Sequence, residues 1–135
     1  MSNFTPAEID YLQTPQLGRL ATVDPDGQPH VVPVSYRYNP DEDSIDIGGH
    51  GFGKSKKYRD VLQNPKVAFV IDEVISRDPF RIHGIEVRGL AEVLPNGGEG
   101  RGPDFDLEMI RVRPHRIASW GIDDESIYAK SRSVG

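Results

Sequence analysis

The 135-residue chain predicts a mainly β fold, a six-stranded antiparallel barrel, closed or split, with two short helices. Three observations carry that expectation. The 14 Gly and 11 Pro interrupt the chain too often for long helices. Apolar and polar residues alternate with period two, as where Val32, Val34, Tyr36 and Tyr38 stand against His30, Pro33, Ser35 and Arg37 over much of one segment. Tight turns join the first three such segments, which makes an antiparallel meander. The length suits one hydrophobic core, so residues 1–135 read as a single domain ending in a polar, mobile tail over about 123–135.

In chain order, Thr5-Pro6-Ala7-Glu8 is a capping box with proline at the first helical position, which predicts a helix over about Pro6 to Gln13 with Ile9 and Leu12 inward. Residues 17–24 read as a strand turning at Asp24-Pro25-Asp26-Gly27. Strands follow at Pro29–Tyr38 and Ser44–Gly48, separated by the turn Asn39-Pro40-Asp41. Tyr58, Val61 and Leu62 share a helical face before the stop signal Asn64-Pro65, so a helix is expected over Ser55–Gln63. Val67–Ile71 is almost wholly apolar and predicts a strand covered on both sides. Ile85–Leu94 and Glu108–Trp120 complete the six, with Pro114 implying a bulge or an edge. Residues 95–106 are a Gly-rich loop, and Ile122, Ile127 and Tyr128 in the tail are candidates to dock on a neighbour.

Bulk properties remove several classes of function. The net charge of −5 opposes general binding to nucleic acid or anionic lipid. With no Cys, disulfides, thiolate metal sites and Cys nucleophiles are all absent. No run of about 18 apolar residues occurs, and the first ten residues lack the pattern of a secretory leader, so the expectation is a cytoplasmic protein without a membrane partner. His30, His50, His83 and His115 have no ligand-like spacing, so no metal is expected. Nothing points to a Ser-His-Asp arrangement or to any other catalytic side chain.

The informative segment is the junction Gly48-Gly49-His50-Gly51-Phe52-Gly53-Lys54-Ser55-Lys56-Lys57. Three lysines lie in or just before a helix's first turn, where the macrodipole already makes positive charge unfavourable by roughly 0.3–1 kcal/mol each. An anion reverses that sign. A glycine loop, free backbone N–H groups and nearby ammonium groups together make a candidate phosphate site; a solvated basic helix start is the alternative. Gly48-(four residues)-Gly53-Lys54-Ser55 also satisfies the P-loop pattern of nucleotide triphosphatases. Its context fails, because a P-loop belongs to a mostly parallel sheet with helices on both faces. Trp120, the single Trp, is a candidate ring-stacking residue or a core or interface anchor. Arg111, Arg113 and Arg116 are candidates to line an anionic groove, although exposed strands routinely carry arginine.

Leu17-Gly18-Arg19-Leu20-Ala21-Thr22-Val23, Asp26-Gly27-Gln28-Pro29-His30-Val31-Val32-Pro33-Val34, Lys54-Ser55-Lys56-Lys57 through Asn64-Pro65, Val87-Arg88-Gly89 and Ile110-Arg111-Val112-Arg113-Pro114 form an ordered series. It resembles the pyridoxamine-phosphate-oxidase-like split barrels, and is more closely similar to the small members that work as F420-dependent oxidoreductases. The resemblance implies a homodimer with two interface cofactor sites, each built from both chains. It implies coenzyme F420, or alternatively FMN, with the cofactor phosphate held by Lys57 and by Lys54 and Ser55. His30, Pro33, Gly48 and Gly49 would flank the ring, and Trp120 would reach toward the partner's site. The expected reaction is hydride transfer to a small unsaturated or carbonyl acceptor, with an FMN-dependent reductase or a non-catalytic flavin-binding module as alternatives. The chain lacks the extended C-terminal part of the true pyridoxamine phosphate oxidases, so their own reaction is not expected.

Overall fold

A computed structural model describes residues 2–98 and 104–135. Residues 99–103, inside the expected 95–106 loop, lie outside the described residues.

The first helix, α1 (Pro6–Leu12), forms as its capping box demands. Thr5 Oγ1 accepts from Glu8 N at 3.1 Å, and Glu8 Oε1 accepts from Thr5 N at 2.9 Å. Strands β1 (Gly18–Val23), β2 (Pro29–Asn39) and β3 (Ser44–Gly48) make the expected meander. Helix α2 (Lys56–Gln63) leads into the long hairpin of β4 (Lys66–Arg77) and β5 (Phe80–Leu94), followed by β6 (Met109–Trp120) and β7 (Lys130–Ser133). All pairings are antiparallel, and no P-loop sheet exists among the described residues.

The sheet runs β3-β2-β1-β4-β5-β6-β7 and closes where β3 also pairs with β6. Among the described residues six strands therefore make the barrel, and the seventh is an addition. Strand β6 changes partner along its length: Ile110 and Val112 face Ile47 and Ile45 of β3, whereas Arg116 to Ser119 face Ser133 to Lys130 of β7. Pro114 stands between the two halves, opposite Gly89 at a shift of register, so the bulge expected there is present.

Leu20, Ile45, Phe69, Ile85, Val87 and Ile117 are fully buried in the barrel. Each such side chain contributes roughly 1.5–3 kcal/mol of transfer free energy. Tyr36 meets Phe69 edge to face at 4.9 Å, and its hydroxyl donates to Leu12 O at 2.8 Å, which ties α1 to the barrel.

Two expectations need correction. Val67–Ile71 is covered on one face only within the chain, because Val67, Phe69 and Ile71 are buried while Ala68 and Val70 remain partly exposed on the outer face. The C-terminal segment is not a free tail. Strand β7 pairs with β6, and Arg132 enters a bidentate contact with buried Glu8, with Nη2–Oε1 at 2.6 Å and Nη1–Oε2 at 3.1 Å, while Nη2 also donates to Asn3 O at 2.8 Å. No helix among the described residues is long and apolar enough to cross a membrane.

Candidate functional site

The junction between β3 and α2 is shaped by two local devices. Gly51 takes a left-handed φ of 56°, which lets the chain turn into the short 3-10 segment Phe52–Lys54. Ser55 then caps α2: its Oγ accepts from Tyr58 N at 3.3 Å and donates to Phe52 O at 2.6 Å. The hydroxyl proton of Ser55 is thus engaged in the cap.

The three lysines leave this junction in three directions. Lys54 is exposed and lines a cavity of about 510 Å³ shared with Gly51, Gly53, Tyr58, Asp106 and Glu108. Asp106 Oδ2 accepts from Phe52 N at 2.7 Å, and Glu108 Oε2 is buried without a hydrogen-bond partner. Lys56 Nζ is clamped between Asp60 Oδ1 at 3.2 Å and Asp24 Oδ2 at 3.6 Å. Lys57 is half-buried, its Nζ 5.0 Å from the centre of the Phe52 ring. Burial alone pushes its ammonium below the ordinary lysine range, with no charged neighbour contributing to the shift.

Asp60 is the hub beneath this helix. It is only 3 % exposed, accepts from Thr22 Oγ1 at 2.8 Å, and has the Nδ1 of His30 at 3.9 Å, a ring nitrogen that is buried and lacks a hydrogen-bond partner. The spacing of Lys56 and Asp60, four residues apart on a helix, is a readable sequence signal for this pair; the second carboxylate, from the turn at Asp24, is not.

The other expected site residues divide by face. Gly48 ends β3 opposite Ser35, and Gly49 O accepts from Asp106 N at 2.9 Å, so both border the junction. His30 pairs with Thr22 on the inner face, whereas Pro33 pairs with Arg19 on the outer face. The two therefore do not meet within one chain. Trp120 lies ten residues along β6 from Ile110, the partner of β3, a span of about 33 Å. The structure brings Gly48, Gly49 and Lys54 together at the junction, and gathers His30 and Lys56 about Asp60. Pro33 and Trp120 share the outer sheet face, away from the junction.

That outer face holds a groove that sequence reading did not find. Small and aliphatic residues, Ala21, Val23, Pro29, Ala68 and Leu90, form the floor of a depression of about 400 Å³, with Lys66, Arg88 and His115 among its lining residues. The signal was the pair of alanines, Ala21 and Ala68, directly opposite each other on β1 and β4. Arginines expected to line an anionic groove are instead engaged: Arg111 holds Asp46 at 2.9 and 3.1 Å, Arg113 meets Glu42 and Glu92, and Arg116 donates to Ser131 and Ser133.

Trp120 owes its place to Gly84. A Cβ on Gly84 would stand 2.4 Å from indole Cζ2 and 2.9 Å from Asp72 Cβ. Gly84→Val is therefore expected to lift the indole off the strand. As the chain has one Trp, a shift of its emission maximum to longer wavelength reads this directly, and an unchanged spectrum would refute the packing.

Among the described residues no group of three or more His, Asp or Glu side chains is arranged to hold a metal ion. Comparison with known proteins gives the family. Residues 4–121 match the family described as pyridoxamine 5'-phosphate oxidase. The chain is 45% identical, over 90% of its own length and 86% of the other's, to a 5a,11a-dehydrotetracycline/5a,11a-dehydrooxytetracycline reductase of Streptomyces rimosus. A solved F420 reductase is 29% identical, with a TM-score of 0.60 over 80% of this chain and 93% of that one. The FAD-binding protein of Mycobacterium smegmatis, at 17% identity and a TM-score of 0.63 over 99% and 100% of the two chains, shares the fold. The barrel, the matched span and the reductase relative lead to one conclusion: the chain belongs to the pyridoxamine 5'-phosphate oxidase family and is one of its oxidoreductases.

Proposed function

We propose that the protein is an F420-dependent reductase that acts on a polycyclic acceptor carrying a carbon–carbon double bond activated by a carbonyl group. The observation that carries the reading is Lys57. A half-buried ammonium with no ion-pair partner among the described residues, at the start of a helix and above an aromatic ring, is poised for an anion that restores the charge balance lost to burial. The solved F420 reductase supports the choice of cofactor, and the dehydrotetracycline reductase supports the class of acceptor.

In this reading reduced F420 supplies the hydride, and the protein supplies position and a dry environment. Lys57 grips the phosphate, and Gly48 and Gly49 let the cofactor approach the backbone. Ser55 acts indirectly, by holding the first turn of α2 in register. In this reading a second copy of the chain covers the outer-face groove, and Trp120 of that copy reaches toward the cofactor site.

The test is a fluorescence titration with F420. A charge-assisted hydrogen bond contributes about 1.5–3 kcal/mol, so Lys57→Ala should weaken binding by about 10- to 100-fold. Unchanged affinity in the variant would remove Lys57 from the site. Oxidation of reduced F420 with 5a,11a-dehydrotetracycline as probe, followed by absorbance, tests the acceptor class; no turnover with this or other conjugated ring enones would overturn it.

A further inference from the structure

We infer that the cavity between the β3–α2 junction and the residues just before β6 receives the hydroxylated chain that joins the cofactor ring to its phosphate, with Glu108 as the acceptor of its hydroxyl groups. This rests on the proposed function, in which Lys57 holds that phosphate.

The cavity, of about 510 Å³, is large enough for part of a small-molecule ligand. Lys54, Tyr58, Asp106 and Glu108 give it four polar side chains. Glu108 makes no hydrogen bond or ion pair among the described residues. Its Oε2 is buried against Gly53, where a Cβ would stand 3.1 Å from that oxygen and from Cδ, so Oε1 is left as the open acceptor. Asp106 is fixed beside it through Oδ2, which accepts from Phe52 N at 2.7 Å. Lys54 is exposed and has no ion-pair partner among the described residues.

These groups select the ligand. Two carboxylates oppose a second anion, and Lys54 opposes a free cation. Hydroxyl groups suit both, because each can donate to a carboxylate oxygen and accept from an ammonium or a phenol. The position fits as well. The Phe52 ring lies 5.0 Å from Lys57 Nζ and 5.8 Å from the Tyr58 ring, so one aromatic side chain separates the group that holds the phosphate from the cavity wall.

Three ligands that share one ring test the assignment: F420, the F420 ring carrying only the ribityl chain, and the same ring carrying a methyl group in place of the chain. Fluorescence titration of the wild type should show the ribityl compound bound at least about tenfold more tightly than the methyl compound. Glu108→Ala should reduce that ratio to about threefold or less, and Glu108→Gln, which keeps an amide oxygen as acceptor, should fall between. The methyl compound should bind all three proteins alike.

Equal affinity of the wild type for the two compounds, or a ratio that survives Glu108→Ala, would overturn the inference. Lys57→Ala should weaken F420 and leave the ratio intact, so loss of the chain effect alone leaves the phosphate reading standing. F420 binding that is indifferent to Lys57→Ala would remove that reading, and the inference with it. If Glu108→Ala fails to fold, the wild-type ratio and Glu108→Gln still decide, and a Gln variant with the wild-type ratio overturns the inference in the same way.

Discussion

Gly89→Ala is expected to lower the melting temperature by about 10 °C or more. At this position a Cβ would stand 2.0 Å from Arg113 O, 2.9 Å from Arg113 C and 3.1 Å from Pro114 Cα. All three are backbone atoms, so no side-chain rotation relieves the overlap. The strand opposite is held at this point by its own bulge, and Arg113 is anchored by Glu42 and Glu92. Overpacking of this kind costs roughly 3 kcal/mol or more, and a domain of this size loses about 3–5 °C for each kcal/mol. Thermal unfolding followed by circular dichroism measures it. A loss under about 1 kcal/mol would mean that the β5–β6 bulge can open to admit a methyl group.

Arg132→Ala is expected to cost about 2–3 kcal/mol at pH 7, with a loss that shrinks on acidification. Glu8 is fully buried. Burial raises its pKa, but the hydrogen bonds from Arg132, Thr5 and Ser119 outweigh that cost, and the carboxyl titrates below its ordinary range. A group depressed in the folded state contributes stability above its unfolded pKa, near 4.5, and that contribution disappears as pH falls through the folded value. Without Arg132 the carboxylate is left buried and short of its cation, a situation that costs about 3–5 kcal/mol in a sealed interior and less here, where Arg132 is partly exposed. The difference between wild type and variant should therefore be largest at neutral pH and narrow below about pH 4. Urea denaturation at pH 7 and at pH 3 checks this, and a constant difference across that range would exclude the ion pair as its source.

The contrast between these two sites shows what the sequence could reveal. Local chemistry was legible: the Thr5–Glu8 capping box, the turn at Asp24–Gly27 and the period-two pattern of β2 each rest on neighbours within a few residues. Pro114 disclosed the bulge because a missing N–H must be accommodated wherever the strand lies. Strand β7 was invisible. Lys130-Ser131-Arg132-Ser133 has no apolar face, and its place is set by backbone pairing and by an ion pair to a residue 124 positions away. The far half of the β4–β5 hairpin was missed for a similar reason: Asp72-Glu73-Val74-Ile75-Ser76-Arg77 carries no strict alternation, yet pairs from Asp72 onward as a continuation of buried Ile71.

At the junction, the lysines were legible and the neutralisation of Lys56 was not. Composition shows that cations gather there; only the tertiary structure shows Asp24, in the turn after β1, sharing Lys56 with Asp60. The inner and outer assignments of His30 and Pro33 likewise follow from register, which a strand pattern interrupted by Pro33 leaves open.

The change of partner along β6 also bears on the order of assembly. The meander of β1 to β3 and the hairpin of β4 with β5 are joined by turns and can form early, since short loops close at little entropic cost. The seam between Asp46 and Arg111 spans 65 residues of chain, and must wait until both halves exist. The molecule is thus expected to assemble as two panels brought edge to edge, so that Asp46→Ala or Arg111→Ala should slow refolding while most surface changes leave its rate alone, which stopped-flow refolding measures.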